Sequence, residues 1–142
     1  GKKDIYRIYL ENTRHINNWD LVDVSAKHIV GDHLSDKDKS VLYKLARSPL
    51  LWDRRIAILS TFHFIEHHRF EDTIKIAELL LPDRHDLIHK AVGWMLREVG
   101  KRNLATEENF LKVHHKSMPR TMRRYAIEKF PKPKRRRYLN KR

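Results

Sequence analysis

KAVGWML, residues 90–96, decides the fold, because the chain carries its pattern three more times: KHIV at 27–30, RIAIL at 55–59 and RYAIEKF at 124–130. Each copy opens on a basic side chain and continues in small and apolar ones. Ala57 and Ala91 lie 34 positions apart, and Ala91 and Ala126 lie 35 apart. A period of this length fits two helices and their links, stacked copy upon copy.

Around these copies the apolar spacing is helical throughout. It predicts helices near 3–15, 19–31, 36–47, 51–66, 70–81, 84–99, 106–115 and 119–129. The punctuation agrees. Asn17 or Asn18 is a candidate N-cap before Trp19, and Ser35 with Asp38 resembles a capping box. Pro49 and Pro82 stand near helix starts, Gly100 fits the position just past a helix end, and Thr106 and Ser117 are candidate caps. No alternation of period two runs beyond a few residues, so strands are not expected. The fold class is therefore all-α, an α-solenoid of HEAT-like antiparallel helix pairs with one helix of each pair lining a concave face. The tetratricopeptide consensus is absent. The repeat domain is expected over 1–130, followed by a basic C-terminal tail over 131–142.

The 142 residues suffice for one domain with a real core. There is no cysteine, hence neither a disulfide framework nor a thiolate metal site. No apolar run reaches the ~18 residues of a membrane span, and no signal peptide is visible, so a soluble, cytoplasmic protein is expected. The start, GKKDIYRIYL, has no initiator Met and reads as the interior of a longer chain. Charge is unevenly placed: of the formal +13, +10 falls between Pro119 and Arg142. Such a segment is an electrostatic footprint for phosphate, or else a solvated solubilising tail. It has no apolar face with which to lie on a membrane.

Against that charge a lone acid stands out. Trp19 and Asp23 are spaced i, i+4 and share a helix face; Arg55 falls on the corresponding helix of the next pair, and Trp94 on that of the pair after, one turn beyond Lys90. On a common concave face, two aromatics, a guanidinium and a carboxylate suit a cationic reacting centre on a polyanion. The same residues also fit an ordinary role, with the tryptophans as core aromatics and Asp23 favoured by the helix dipole of a first turn. His63-Phe64-Ile65-Glu66-His67 matches the H-x-x-E-H zinc signature. It falls at a helix end in a chain of ten histidines, His85 and His89 repeat the spacing, and no third ligand presents itself, so no metal is expected. There is no Gly-rich phosphate loop and no G-x-S-x-G.

Three segments carry a family resemblance: NNWDLVD at 17–23, LLWDRRIAIL at 50–59 and IHKAVGWMLREVGKRN at 88–103. Together they resemble the AlkD-like DNA alkylation repair glycosylases, over about residues 5–130 and in the family's order. The resemblance implies HEAT-like repeats and removal of N3- and N7-alkylated purines from duplex DNA, as a bacterial cytoplasmic monomer with no cofactor, no metal and no membrane. It also implies that the chain covers the C-terminal part of a family member. Trp19 and Trp94 then resemble the aromatics that contact backbone and deoxyribose beside the lesion, Asp23 the catalytic carboxylate, and Arg55 the arginine on the flanking phosphate. The link after the helix at 19–31 is shorter than in the family. Sequence-independent binding is expected from Lys90, Arg97, Lys101, Arg102 and the basic C-terminal segment. Two alternatives differ in what they need: a non-catalytic HEAT-like module for damaged or branched DNA requires no Asp23, and a protein-binding solenoid requires neither acid nor basic surface.

Overall fold

The computed structural model describes residues 39–140 together with 3, 5–7, 26, 30 and 34. Seven helices have both ends in that range: α1 Ser40–Ala46, α2 Leu51–Glu66, α3 Glu71–Leu79, α4 Asp86–Arg102, α5 Leu104–His114, α6 Arg120–Ala126 and α7 Lys132–Asn140. Among the described residues there is no strand, so the molecule is all-α as its apolar period requires.

Alternate helices make the principal contacts. α4 packs most extensively on α6 and α2, while α3 and α5 cover α2 and α4 from the other side. Two chain-distant pairs show that α2 and α4 run parallel, and Gly93 against Met122 with Arg97 against Glu128 extends the same direction to α6. Arg55 in the second turn of α2 reaches the Leu87 carbonyl in the first turn of α4, and Phe62 further along α2 meets Trp94 further along α4. That order is consistent with helix pairs stacked as a solenoid.

The sequence builds α4 for the middle of that layer. Ile88, Ala91, Val92, Met95, Leu96 and Val99, at i, i+3, i+4, i+7, i+8 and i+11, are all buried. Large side chains from α2 (Ile56, Ile58, Leu59, Phe64, Ile65) complete the core beside them. Each contributes about 1.5–3 kcal/mol by leaving water.

Glycine permits the closest approach. A Cβ on Gly93 would stand 2.5 Å from the Tyr125 Cβ and 2.6 Å from the Met122 carbonyl oxygen, so α4 and α6 meet backbone to backbone there. Gly100 is likewise a packing residue. It lies inside α4 rather than just past its end, as its place in the sequence suggested, and a Cβ on it would fall 1.9 Å from Glu107 Oε1. The α4 end is instead set by Asn103, which closes α4 and caps α5 by accepting the Thr106 amide at 3.1 Å. At the end of α2, His68 takes a left-handed φ of 59° while the Arg69 amide bonds back to the Phe64 carbonyl at 2.9 Å. That Schellman-type closure places His67 past the last helical residue.

Glu107 is the unusual core residue. It is 1% exposed, in the first turn of α5, and its Oε2 has no hydrogen-bond partner. Burial pushes its carboxyl up to about 9, Glu108 adds to the rise, and Arg97 and Lys134 oppose it. A helix dipole, at about 1 kcal/mol or less, cannot offset a shift of that size, since one pKa unit alone is about 1.4 kcal/mol. The folded protein therefore holds a proton that the unfolded chain releases above its ordinary value of 4.5. The stability this supplies is full below 4.5 and is lost as pH rises through about 9. Glu107→Gln is expected to match wild type in melting temperature near pH 5 and to exceed it increasingly toward pH 9. Parallel curves for the two proteins would contradict this.

Candidate nucleic-acid interface

Parallel helices with a 35-residue period bring equivalent positions into a row. Arg55, Lys90 and Tyr125 are spaced 35 and 35 residues apart, on the second turns of α2, α4 and α6. Arg55 is only 6% exposed, and its guanidinium donates to the Leu87 carbonyl. Its neighbour Arg54 ties the start of α2 to the link between α3 and α4 through Asp83 at 2.7 Å, which fixes the level at which Arg55 sits. Lys90 is half-buried, with 41% of its side chain open to solvent, and lies 3.1 Å from Asp86, one turn earlier. Its amine is held above its usual range by Asp86 first and by Tyr125 also, while Arg55 opposes the rise. The lysine thus feels its neighbours in the row on both sides. An exposed ion pair of this kind is weak and readily exchanged for phosphate.

Trp94 follows Lys90 by one turn. Its ring is half-buried and meets Phe62 edge to face, with centroids 5.7 Å apart and planes at 80°. Arg102 stands over the other partner of that pair, its guanidinium carbon 5.8 Å from the Phe62 centroid. The contact with Phe62 fixes the indole between α2 and α4 and leaves part of it open.

The remaining expected cations of α4 are compensated within the protein. Arg97 pairs with Glu128 at 2.6 Å. Lys101 and Arg102 both pair with Glu98 at 3.0 Å, at i+3 and i+4 along the helix. Burial raises the Glu98 carboxyl, but the hydrogen bonds from Lys101 and Arg102 outweigh it and leave the group below its ordinary value. These three side chains brace α4; a phosphate reaches them only by displacing an acid.

Trp19 and Asp23 lie outside the described residues, as do Ser35 and Asp38 of the expected capping box. Ala26, three positions after Asp23, is described: it is buried, and its carbonyl accepts from the Ser60 hydroxyl of α2 at 3.3 Å. The His63 and His67 rings are 4.7 Å apart, and among the described residues no three His, Asp or Glu side chains cluster as metal ligands. Among those residues, too, no helix is long and apolar enough to cross a membrane.

Two features of the surface escaped sequence reasoning. Tyr125 stands third in the row, and the 35-residue step from Arg55 through Lys90 was the signal that pointed to it. The basic segment after 130 is helical from Lys132 to Asn140 and docks on α5 and α6; its composition, with Pro133, Tyr138 and Leu139 as its only apolar-bodied residues, gave no stripe to read.

With this geometry described, comparison with known proteins adds one match. The model of the family described as DNA alkylation repair enzyme matches residues 1–130. Neither the curated proteins nor the solved structures contain a match.

Proposed function

We propose that this chain, which belongs to the DNA alkylation repair enzyme family, is a DNA glycosylase that hydrolyses the N-glycosidic bond of cationic N3- or N7-alkylated purines in duplex DNA. The observation that carries the reading is the row of Arg55 and Lys90 on parallel helices, with Trp94 one turn beyond Lys90. Cations in line with a partly open indole suit a sugar–phosphate backbone with a distorted nucleotide beside it.

The chemistry explains why so few groups suffice. An N3- or N7-alkylated purine already carries positive charge, so it leaves without protonation, and the general acid of ordinary glycoside hydrolysis is dispensable. What needs stabilising is the oxocarbenium-like sugar. In this proposal Asp23 supplies the opposing charge and orients the attacking water. Trp19 and Trp94 offer their faces to the same developing cation. Arg55 holds the flanking phosphate once it turns from the Leu87 carbonyl, with Lys90 beside it, and Arg97, Lys101 and Arg102 join where phosphate displaces Glu128 or Glu98. Reaction from the backbone side requires no pocket for an extruded base.

The direct test is release of free 3-methyladenine or 7-methylguanine from methylated duplex DNA by the full-length protein. Release supports the glycosylase. Salt-sensitive DNA binding without release would favour the non-catalytic module for damaged or branched DNA.

A further inference from the structure

Helix α7 is held to the fold chiefly by the face of Lys134 and Tyr138, with Leu139 also packed against the core. Lys134 pairs with Glu108 of α5 at 2.8 Å, and the Tyr138 hydroxyl donates to the same carboxylate at 3.3 Å. The Tyr138 ring packs on His115 and Phe130, with centroids at 5.6 and 6.0 Å, and Arg123 of α6 donates to the Tyr138 carbonyl at 3.0 Å. Lys132, Arg135, Arg136 and Leu139, at i, i+3, i+4 and i+7, form the other face. With Arg124 and Tyr125 of α6 they line an open cleft of about 580 Å³.

The electrostatics of that cleft are one-sided. Among the described residues, the side chains of Arg124, Lys132, Arg135 and Arg136 make no hydrogen bond or ion pair. The one acid among the lining residues, Glu128, is taken by Arg97 at 2.6 Å and has Lys129 at 4.0 Å. Four cations facing one space repel each other, and the docking of the opposite face of α7 holds them there. A cleft of this kind concentrates positive potential and fits an anionic occupant. Its position says which one: Tyr125, in its wall, is the third member of the row that begins at Arg55 and Lys90.

We propose that the cleft between α6 and α7 grips the phosphodiester backbone of duplex DNA beyond the lesion, through Arg124, Arg135 and Arg136 with Lys132 at its edge. A strand laid along Arg55, Lys90 and Tyr125 enters the cleft next, so α7 lengthens the footprint past the part of the chain that the family model matches. The inference rests on the DNA-binding half of the proposed function and not on its catalytic half.

The test measures binding of the full-length protein to an undamaged duplex across a salt series. Each phosphate neutralised steepens the plot of log affinity against log salt by about 0.9. The double variant Arg135→Gln/Arg136→Gln is expected to flatten the slope by about two, and Arg124→Gln, on the opposite wall, by about one. Unchanged melting temperatures are expected, since these side chains have no partner among the described residues; if the double variant fails to fold, Arg124→Gln decides. Slopes equal to wild type would overturn the proposal. So would loss of affinity for heparin with duplex binding intact, which would assign the cleft to another polyanion. The duplex carries no lesion, so a wild-type protein that gives these slopes but releases no base keeps the cleft and loses the glycosylase.

Discussion

Asp23→Asn is expected to slow release of an alkylated purine by about 10²–10³-fold in single turnover, the usual cost of removing one electrostatic stabiliser of a transition state. The amide keeps the size and hydrogen-bonding shape of the carboxylate and deletes only its charge. That charge is what an oxocarbenium-like sugar demands and what a bound ground-state nucleotide, flanked by phosphates, does not. Affinity for undamaged duplex is therefore expected to hold or tighten, because an anion has left a phosphate-binding strip. The effect falls on the chemical step alone, a transition-state interaction in the strict sense. Equal rates for the two proteins would remove Asp23 from the mechanism, and a parallel loss of DNA binding would make it a structural residue.

The second large effect is on the scaffold. Gly93→Val is expected to destabilise the fold by an amount toward the upper end of ~1–3 kcal/mol, the range for overpacking a filled core. For a chain of this size that is about a 10 °C fall in melting temperature. The Cβ alone would stand 2.5 Å from the Tyr125 Cβ and 2.6 Å from the Met122 carbonyl oxygen. A backbone oxygen inside a helix cannot swing aside as a side chain does, so α6 must move. Valine regains some helix propensity over glycine, by about half a kcal/mol, and this does not offset the clash. A shifted α6 also carries Tyr125 and Arg124 away from Lys90, so weaker DNA binding is expected from whatever fraction folds. An unchanged melting temperature would mean that α4 and α6 are not in backbone contact.

These expectations show where the fold was legible and where it was not. The helix from 51 to 66 could be read to its ends, because Pro49 precedes it and its apolar residues run without a break. Gly100 was misplaced for a physical reason. Glycine after an apolar run is the common mark of a helix end, but here it answers to a buried carboxyl on the next helix, a contact no local pattern contains. Helix α7 was invisible because Glu108, the carboxylate that both Lys134 and Tyr138 reach, lies 26 and 30 positions earlier in the chain.

The same distinction runs through the candidate site. The pairing of Glu98 with Lys101 and Arg102 follows from i+3 and i+4 spacing on one helix and was open to sequence reasoning. The pairing of Arg97 with Glu128 crosses from α4 to the end of α6 and was not. The row from Arg55 to Lys90 lay within reach of the repeat period; the compensation of the cations beyond it required the packing. Asp23 and Trp19 enter the proposal through the sequence resemblance alone, since both lie outside the described residues.

The central claim is that the substrate supplies its own cationic leaving group, so that one carboxylate suffices. The measurement that tests it most directly compares two duplexes identical except for one base, one carrying cationic 7-methylguanine and the other neutral O6-methylguanine. Incubated with the full-length protein, the first is expected to yield free base and the second none above the spontaneous rate. Release of both at similar rates would show that leaving-group charge does not control the reaction, and release of neither would contradict the glycosylase itself.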